Sequence, residues 1–179
     1  MPRLPLLSFA LLVVASPLSA QDAHWQTPVV DGVGPAIHFP DAAVQPDPSL
    51  TYRVVFDVTK AGDDEGVPIG LSQAARFLNS FALHGAAPGS LDLVVVFHGA
   101  ATRAALSDAA YAENVGGANP STALLARLAE LGAQSYVCGN SLVGSGYAPD
   151  DIGPDVELAT SAMAVLTTFP LRGYAVLAY

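Results

Sequence analysis

From residue 52 onward, the chain alternates short apolar runs rich in β-branched residues with longer segments of helical periodicity. Such runs predict strands, and their alternation with helices is typical of βαβ units and a parallel sheet. The predicted strands cover residues 52–59, 91–97, 134–138, 156–159 and 174–178, and the main helices cover 71–83, 121–131 and 161–169. The run 91–97 is apolar at almost every position, which indicates a central strand covered on both faces. The pattern therefore predicts an α/β fold, a three-layer α/β/α sandwich around a five-stranded parallel sheet.

The first twenty residues have the character of a secretory signal peptide. Arg3 precedes an apolar stretch from Leu4 to Leu18, and small residues up to Ala20 offer a cleavage site. The apolar stretch is shorter than the roughly 20 residues that a membrane-spanning helix needs. We therefore predict cleavage after Ala20, a periplasmic or secreted mature protein, and no membrane association after cleavage.

Residues 21–50 form a proline-rich N-terminal arm ahead of a domain that covers residues 51–179. Proline at this density prevents a long helix and favours extended segments. Several apolar side chains nevertheless lie within it, so we expect the arm to lie along the domain or on a neighbouring subunit. The prolines are Pro28, Pro35, Pro40, Pro46 and Pro48, and the apolar residues include Trp25, Val29, Val30, Ile37 and Phe39.

Composition and missing motifs exclude several function classes. A single cysteine rules out an intrachain disulfide framework and zinc sites that use several cysteines. A formal net charge of -9 without any Lys/Arg cluster makes nucleic acid a poor partner. The sequence has no G-x-G-x-x-G after the first strand, no Walker motif and no G-x-S-x-G elbow, so nucleotide binding and serine hydrolysis lose their usual support. No cofactor is predicted.

Cys138 is the candidate catalytic residue, because it lies where a predicted parallel strand ends and a helical turn begins. Unsatisfied N–H groups at a helix start stabilise a thiolate, which lowers the pKa of the thiol and makes it more nucleophilic. Gly139 allows close backbone approach, and Asn140 or Ser141 can cap the helix. The alternative is that Cys138 is an inert, buried core residue.

His98 and Gly99 end a different strand at the same edge of the sheet, so His98 and Cys138 can face one crevice. A histidine there can act as a general base, pair with a thiolate, or ligate a metal. The alternative is a structural histidine that hydrogen-bonds a loop carbonyl. Residues 100–119 are less regular, with short helical potential around 102–108 and at Tyr111 and a break at Gly116 and Gly117, and they can form a loop over the site. The candidate substrate-binding residues are His98, Gly99, Gly139 and Asn140.

Three segments, taken in order and spacing, resemble the DsrE/DsrF-like family: VVVFHG at 94–99, LGA at 131–133 leading to YVCGNSL at 136–142, and LRGYAVL at 171–177. The resemblance extends from about residue 52 to the C-terminus. It implies a five-stranded parallel sheet flanked by helices, assembly into trimers or hexamers, and a link to sulfur metabolism through a cysteine that relays persulfide sulfur. Cys138 matches that cysteine, and His98 and Asn140 lie in matching segments.

These observations favour a periplasmic protein that binds or transfers persulfide sulfur on Cys138, exchanging it with a donor or acceptor protein. Such a protein is at most a sulfur-transferase-like carrier. The first alternative is a non-catalytic homo-oligomeric module that binds a small ligand or a metal through Cys138 and His98. The second is a structural homo-oligomer whose cysteine is core packing.

Overall fold

The computed structural model describes residues 24–62 and 66–179, and within them the chain folds around five parallel strands. The order in the sheet is β4-β3-β2-β1-β5, so β2 is the middle strand, as predicted. The strands are β1 (Tyr52–Val58), β2 (Leu91–Phe97), β3 (Gln134–Cys138), β4 (Glu157–Ala159) and β5 (Ala175–Ala178). The predicted α/β fold with a five-stranded parallel sheet is confirmed. The predicted signal peptide and the acidic run at 63–65 lie outside the described residues.

Five α-helices connect and cover the strands: α1 (Ile69–Leu83), α2 (Asp108–Asn114), α3 (Thr122–Glu130), α4 (Gly139–Gly144) and α5 (Ala162–Leu171). Helices α1 to α4 contribute to the larger core on one face of the sheet, and α5 packs on the opposite face. None of the helices in the described residues is long and apolar enough to span a membrane.

Side-chain alternation along the strands divides the interior into two cores. Successive residues of a strand point to opposite faces. In β1, Val54, Phe56 and Val58 belong to the larger core, whereas Val55 belongs to the smaller core beneath α5. Both faces of the central strands are therefore buried, which explains why these strands read as continuous apolar runs.

The segment 100–119 has the short helical structure that its pattern suggested, but it is not the expected loop over the site. It contains a 3-10 helix over Gly99–Ala105, followed by α2. Six of its apolar residues are buried in the larger core: Ala101, Ala104, Ala105, Leu106, Ala110 and Tyr111. The Asn119 amide donates hydrogen bonds to the carbonyls of Ala104 and Leu106, at 3.0 and 2.6 Å. The loop hypothesis was wrong because these apolar residues are anchored in the core.

The ends of α3 and α5 differ in how they are capped and where they stop. Ser121 is the N-cap residue of α3, but its side chain makes no capping hydrogen bond and its buried Oγ has no partner among the described residues. The last helix continues to Leu171 rather than ending at Phe169, with Pro170 inside it. Ser161 does cap this helix, because its Oγ accepts a hydrogen bond from the Ala164 N–H at 3.1 Å.

The N-terminal arm lies along its own domain, against α1. Asn79 of α1 is fully buried and holds the arm through both ends of its amide. Its Oδ1 accepts hydrogen bonds from the N–H groups of Val29 and Val30, both at 2.9 Å. Its Nδ2 donates to the carbonyls of Val33 and Gly34 at 2.9 and 3.0 Å, and to that of Val30 at 3.3 Å. One side chain thus replaces the backbone pairing that a proline-rich segment cannot provide.

Replacing Asn79 with alanine should release the arm, because buried backbone donors and acceptors of the arm would lose their partner. We expect Asn79→Ala to lower the free energy of unfolding by about 2–3 kcal/mol, with faster proteolysis before residue 50. Asn114→Ala is the matched control, since Asn114 is exposed and bonds only within its own helix. Equal unfolding free energies for the two variants in chemical denaturation would show that Asn79 does not anchor the arm.

Candidate functional site

The carboxyl ends of β1, β2 and β3 bring three polar or nucleophilic side chains to one face of the sheet. The backbone register pairs Asp57 with Val96 and Phe97 with Val137, so His98 lies level with Cys138 at adjacent strand ends. Alternation puts Asp57, His98 and Cys138 on the face that α5 covers. Parallel strands run about 4.8 Å apart, so the sheet itself brings these residues into one row.

The Cys138 thiol is buried at the end of β3 and is surrounded by hydrogen-bond donors. Burial by itself raises the pKa of the thiol. Hydrogen bonds from the N–H groups of Ser141, Ala162 and Asn140, and from the Ser141 hydroxyl, outweigh it and hold the pKa of Cys138 below its ordinary value. The site therefore favours a thiolate, the nucleophilic form of cysteine.

These donors come from the starts of two different helices. Helix α4 begins directly after Cys138, so its first amides point back to the strand end. Strand β4 pairs Ala159 with Cys138, and α5 begins three residues later at Ala162. Gly139 permits this approach, since a Cβ there would lie 3.1 Å from the Ala159 carbonyl oxygen. Because β4 pairs with β3, the start of α5 lies next to the Cys138 sulfur.

His98 hydrogen-bonds Asp57 rather than Cys138. Its Nε2 lies 2.7 Å from Asp57 Oδ1, and both side chains are partly buried. Within the described residues, the hydrogen-bond partners of the thiol do not include His98. Sequence reasoning missed Asp57, although a carboxylate near the end of a mostly apolar strand was a usable signal. The missing step was the register that puts Asp57 next to His98.

Ser141 connects the two strand ends. Its Oγ accepts a hydrogen bond from the Gly99 N–H at 3.3 Å, and its hydroxyl donates toward the Cys138 sulfur. The expectation that Asn140 or Ser141 caps α4 was wrong: the N-cap residue is Cys138, and no side chain caps the helix. The Ser141 side chain instead links Gly99, after β2, to Cys138 at the end of β3. The Asn140 side chain is exposed, and the backbone N–H of this residue donates a hydrogen bond to the Cys138 sulfur.

Within residues 24–62 and 66–179, no group of three or more His, Cys, Asp and Glu side chains is arranged to hold a metal ion. His98 and Cys138 by themselves are fewer ligands than zinc or copper(I) sites in proteins commonly use. The arrangement of the site therefore suits nucleophilic sulfur chemistry better than metal binding.

Comparison with known proteins agrees with this fold. The family model of the DsrE/DsrF-like family matches residues 53–179. The chain is also similar to a solved structure, the protein of unknown function MTH1491 from Methanobacterium thermoautotrophicum. The identity is 20% and the TM-score 0.54, covering 72% of this chain and 99% of that one. No curated protein matches the chain.

The donors around Cys138 lead to a pH prediction. Because only the thiolate is alkylated, a lowered pKa shifts the midpoint of the alkylation rate below the roughly 8.5 of a free thiol. Ser141→Ala removes one donor, so the pKa of the Cys138 thiol and the midpoint of its alkylation rate should rise. Alkylation at neutral pH should be slower than in the unchanged protein, and the rate at high pH should be the same. The rate with iodoacetamide against pH measures this.

Ser145→Ala is the matched control, since Ser145 is an exposed serine at the other end of the same helix. If Ser141→Ala and Ser145→Ala show the same midpoint as the unchanged protein, the Ser141 hydroxyl does not stabilise the thiolate.

Proposed function

The chain belongs to the DsrE/DsrF-like family, and from this membership we propose that it is an exported protein that carries sulfane sulfur on Cys138. The family is associated with sulfur relay. The observation that best supports the proposal is the set of N–H and hydroxyl donors that converge on the one cysteine of the chain. A carrier needs a nucleophilic thiolate that is shielded from oxidation, and a buried sulfur among donors meets both needs.

The loading step requires no oxidant. The Cys138 thiolate attacks the outer sulfur of a donor persulfide, R–S–SH. A new S–S bond forms on Cys138, the S–S bond of the donor breaks, and the departing R–S⁻ takes up a proton. Unloading is the reverse type of exchange, in which an acceptor thiolate removes the outer sulfur and leaves the Cys138 thiolate. The partners in both steps are proteins or small molecules that carry a thiol.

His98 has a role in this proposal as the group that supplies the proton to the departing thiolate. The Asp57 carboxylate fixes its ring on the face of the sheet that also holds Cys138. Gly99, Gly139 and Asn140 would then border the sulfur that is bound on Cys138. Their exposed or half-buried backbone at the strand ends leaves room for a donor to approach.

The proposal is tested by intact-mass measurement of protein from the periplasmic fraction after brief exposure to polysulfide. We expect a chain that begins at Gln21 and gains the mass of one or more sulfur atoms. Cys138→Ser should show no gain, and His98→Ala should load more slowly at neutral pH. A thiol that gains sulfur only after denaturation would refute the carrier function, and a stoichiometric metal in the purified protein would favour the ligand-binding module instead.

We further propose that the protein is a homo-oligomer, the trimer or hexamer that the family resemblance implies. The supporting observation is β5, an apolar edge strand in which all four residues are exposed. An exposed edge of this kind pairs readily with another chain. A second copy that covers β5 would also bury Val176 and Leu177, which are 41% and 37% exposed.

Introducing a charge into β5 should dissociate such an oligomer, because the lysine ammonium would lose its water in the interface. We expect Val176→Lys to shift the mass in light scattering from that of the oligomer to that of one chain. Val115→Lys is the control, since Val115 is 38% exposed and lies at the end of α2, away from this strand. A monomeric unchanged protein, or an oligomer that survives Val176→Lys, would refute the role of β5.

A further inference from the structure

A second concave site, unrelated to the thiol, lies between the N-terminal arm and α1. Its volume is about 710 Å³, within the range of pockets that hold small ligands. The arm supplies one wall and the second half of α1 the other. The lining includes Trp25, Phe39, Val44 and Tyr52, with Arg76 and His84 from α1 and its end.

The lining is apolar and aromatic, and its charge is opposite to that of the chain. The sequence has 16 Asp and Glu residues against 7 Lys and Arg, yet no acidic residue lines this cavity and one arginine does. Trp25 and Phe39 are 56% and 54% exposed, so the apolar wall meets solvent when the cavity is empty. Covering this wall with apolar ligand surface is favourable.

Most polar groups of the cavity already have partners within the protein. His84 Nδ1 lies 2.7 Å from the Ser80 carbonyl oxygen, and its Nε2 accepts a hydrogen bond from the Phe39 N–H at 3.2 Å. Both ring nitrogens of His84 are therefore engaged within the protein. The Tyr52 hydroxyl is engaged with the backbone of Asp47.

Arg76 is the one charged side chain of this lining, and it differs from His84 and Tyr52 in its partners. Its guanidinium lies over the Trp25 ring, 5.9 Å from the centroid. Among the described residues it has no carboxylate within 4.0 Å and no hydrogen-bond acceptor. A guanidinium presents several N–H donors in a plane, which suits a carboxylate.

We propose that this cavity binds a small apolar monoanion, such as a medium-chain or aromatic carboxylate. The apolar body lies against the aromatic wall, and the carboxylate pairs with Arg76. The arm residues that form one wall lie before residue 53, where the family match begins. The binding site is therefore a property that the arm adds to this chain, and it does not depend on the sulfur chemistry proposed for Cys138.

Trp25 provides a direct measurement, since it is the one tryptophan of the chain and lines the cavity. We expect its fluorescence to change in a saturable way when decanoate is titrated into the mature protein. Decanol, which has the same chain without the charge, should bind roughly tenfold more weakly. Raising the salt concentration should weaken decanoate binding and leave decanol binding unchanged.

Two variants and one control test whether Arg76 pairs with the carboxylate of decanoate. Arg76→Gln should reduce decanoate affinity roughly tenfold and leave decanol affinity unchanged. Val44→Asp, at a residue that is 90% exposed on the cavity rim, should also weaken decanoate binding by repulsion. Arg172→Gln is the matched control, because its guanidinium also lies over an aromatic ring, that of Phe169 at 5.4 Å, on the other face of the sheet.

Equal binding of decanoate and decanol, or equal loss of decanoate binding in Arg172→Gln and Arg76→Gln, would overturn the proposal. So would a Trp25 signal that ignores both compounds and follows protein concentration instead, since that result identifies the cavity as an interface between copies.

Discussion

The strict alternation of side chains along three adjacent parallel strands is the constraint on which the rest of this structure depends. Because β1, β2 and β3 are buried on both faces, their register cannot slip by one residue without moving every core side chain to the wrong face. The same register puts Asp57, His98 and Cys138 on one face at one edge. The packing of the core and the composition of the site are therefore fixed together.

Much of this fold follows from sequence, and the reasons why the rest does not are physical. The strands Leu91–Phe97 and Gln134–Cys138 coincide with the predicted runs. Short apolar segments that are rich in β-branched residues and have sharp boundaries are compatible with a strand and not with a helix. Predicting the α4 donors to Cys138 needed only the rule that helix starts follow strand ends, whereas the Ala162 donor depends on the pairing of β4 with β3. Asp57 was missed because the partner of a side chain across strands depends on register, which no local pattern encodes. The role of Asn79 was missed for a similar reason, since a polar residue in a helix gives no sign of a distant loop that it holds.

The net negative charge of the chain determines where an anion can bind. With a net charge of -9, an anion is repelled at long range and is retained only where local donors are concentrated. Such donors are provided by the N–H groups of α4 and α5 around Cys138, and by the guanidinium of Arg76 beside Trp25. The first uses backbone dipoles in a buried position and suits a thiolate. The second uses a charged side chain at a solvent-facing apolar wall and suits a soluble amphiphile.

These two sites are separated by the topology of the fold. Helix α1 begins at Ile69 near the carboxyl edge and runs back over its 15 residues, about 22 Å at 1.5 Å each, to the amino edge. The arm cavity lies toward that end, beside Tyr52 at the start of β1, and on the face opposite α5. Every donor to Cys138 lies within residues 140–162, so loss of the arm would remove the cavity and leave the thiol site intact. The cavity therefore has no direct contact with the donors around the Cys138 sulfur.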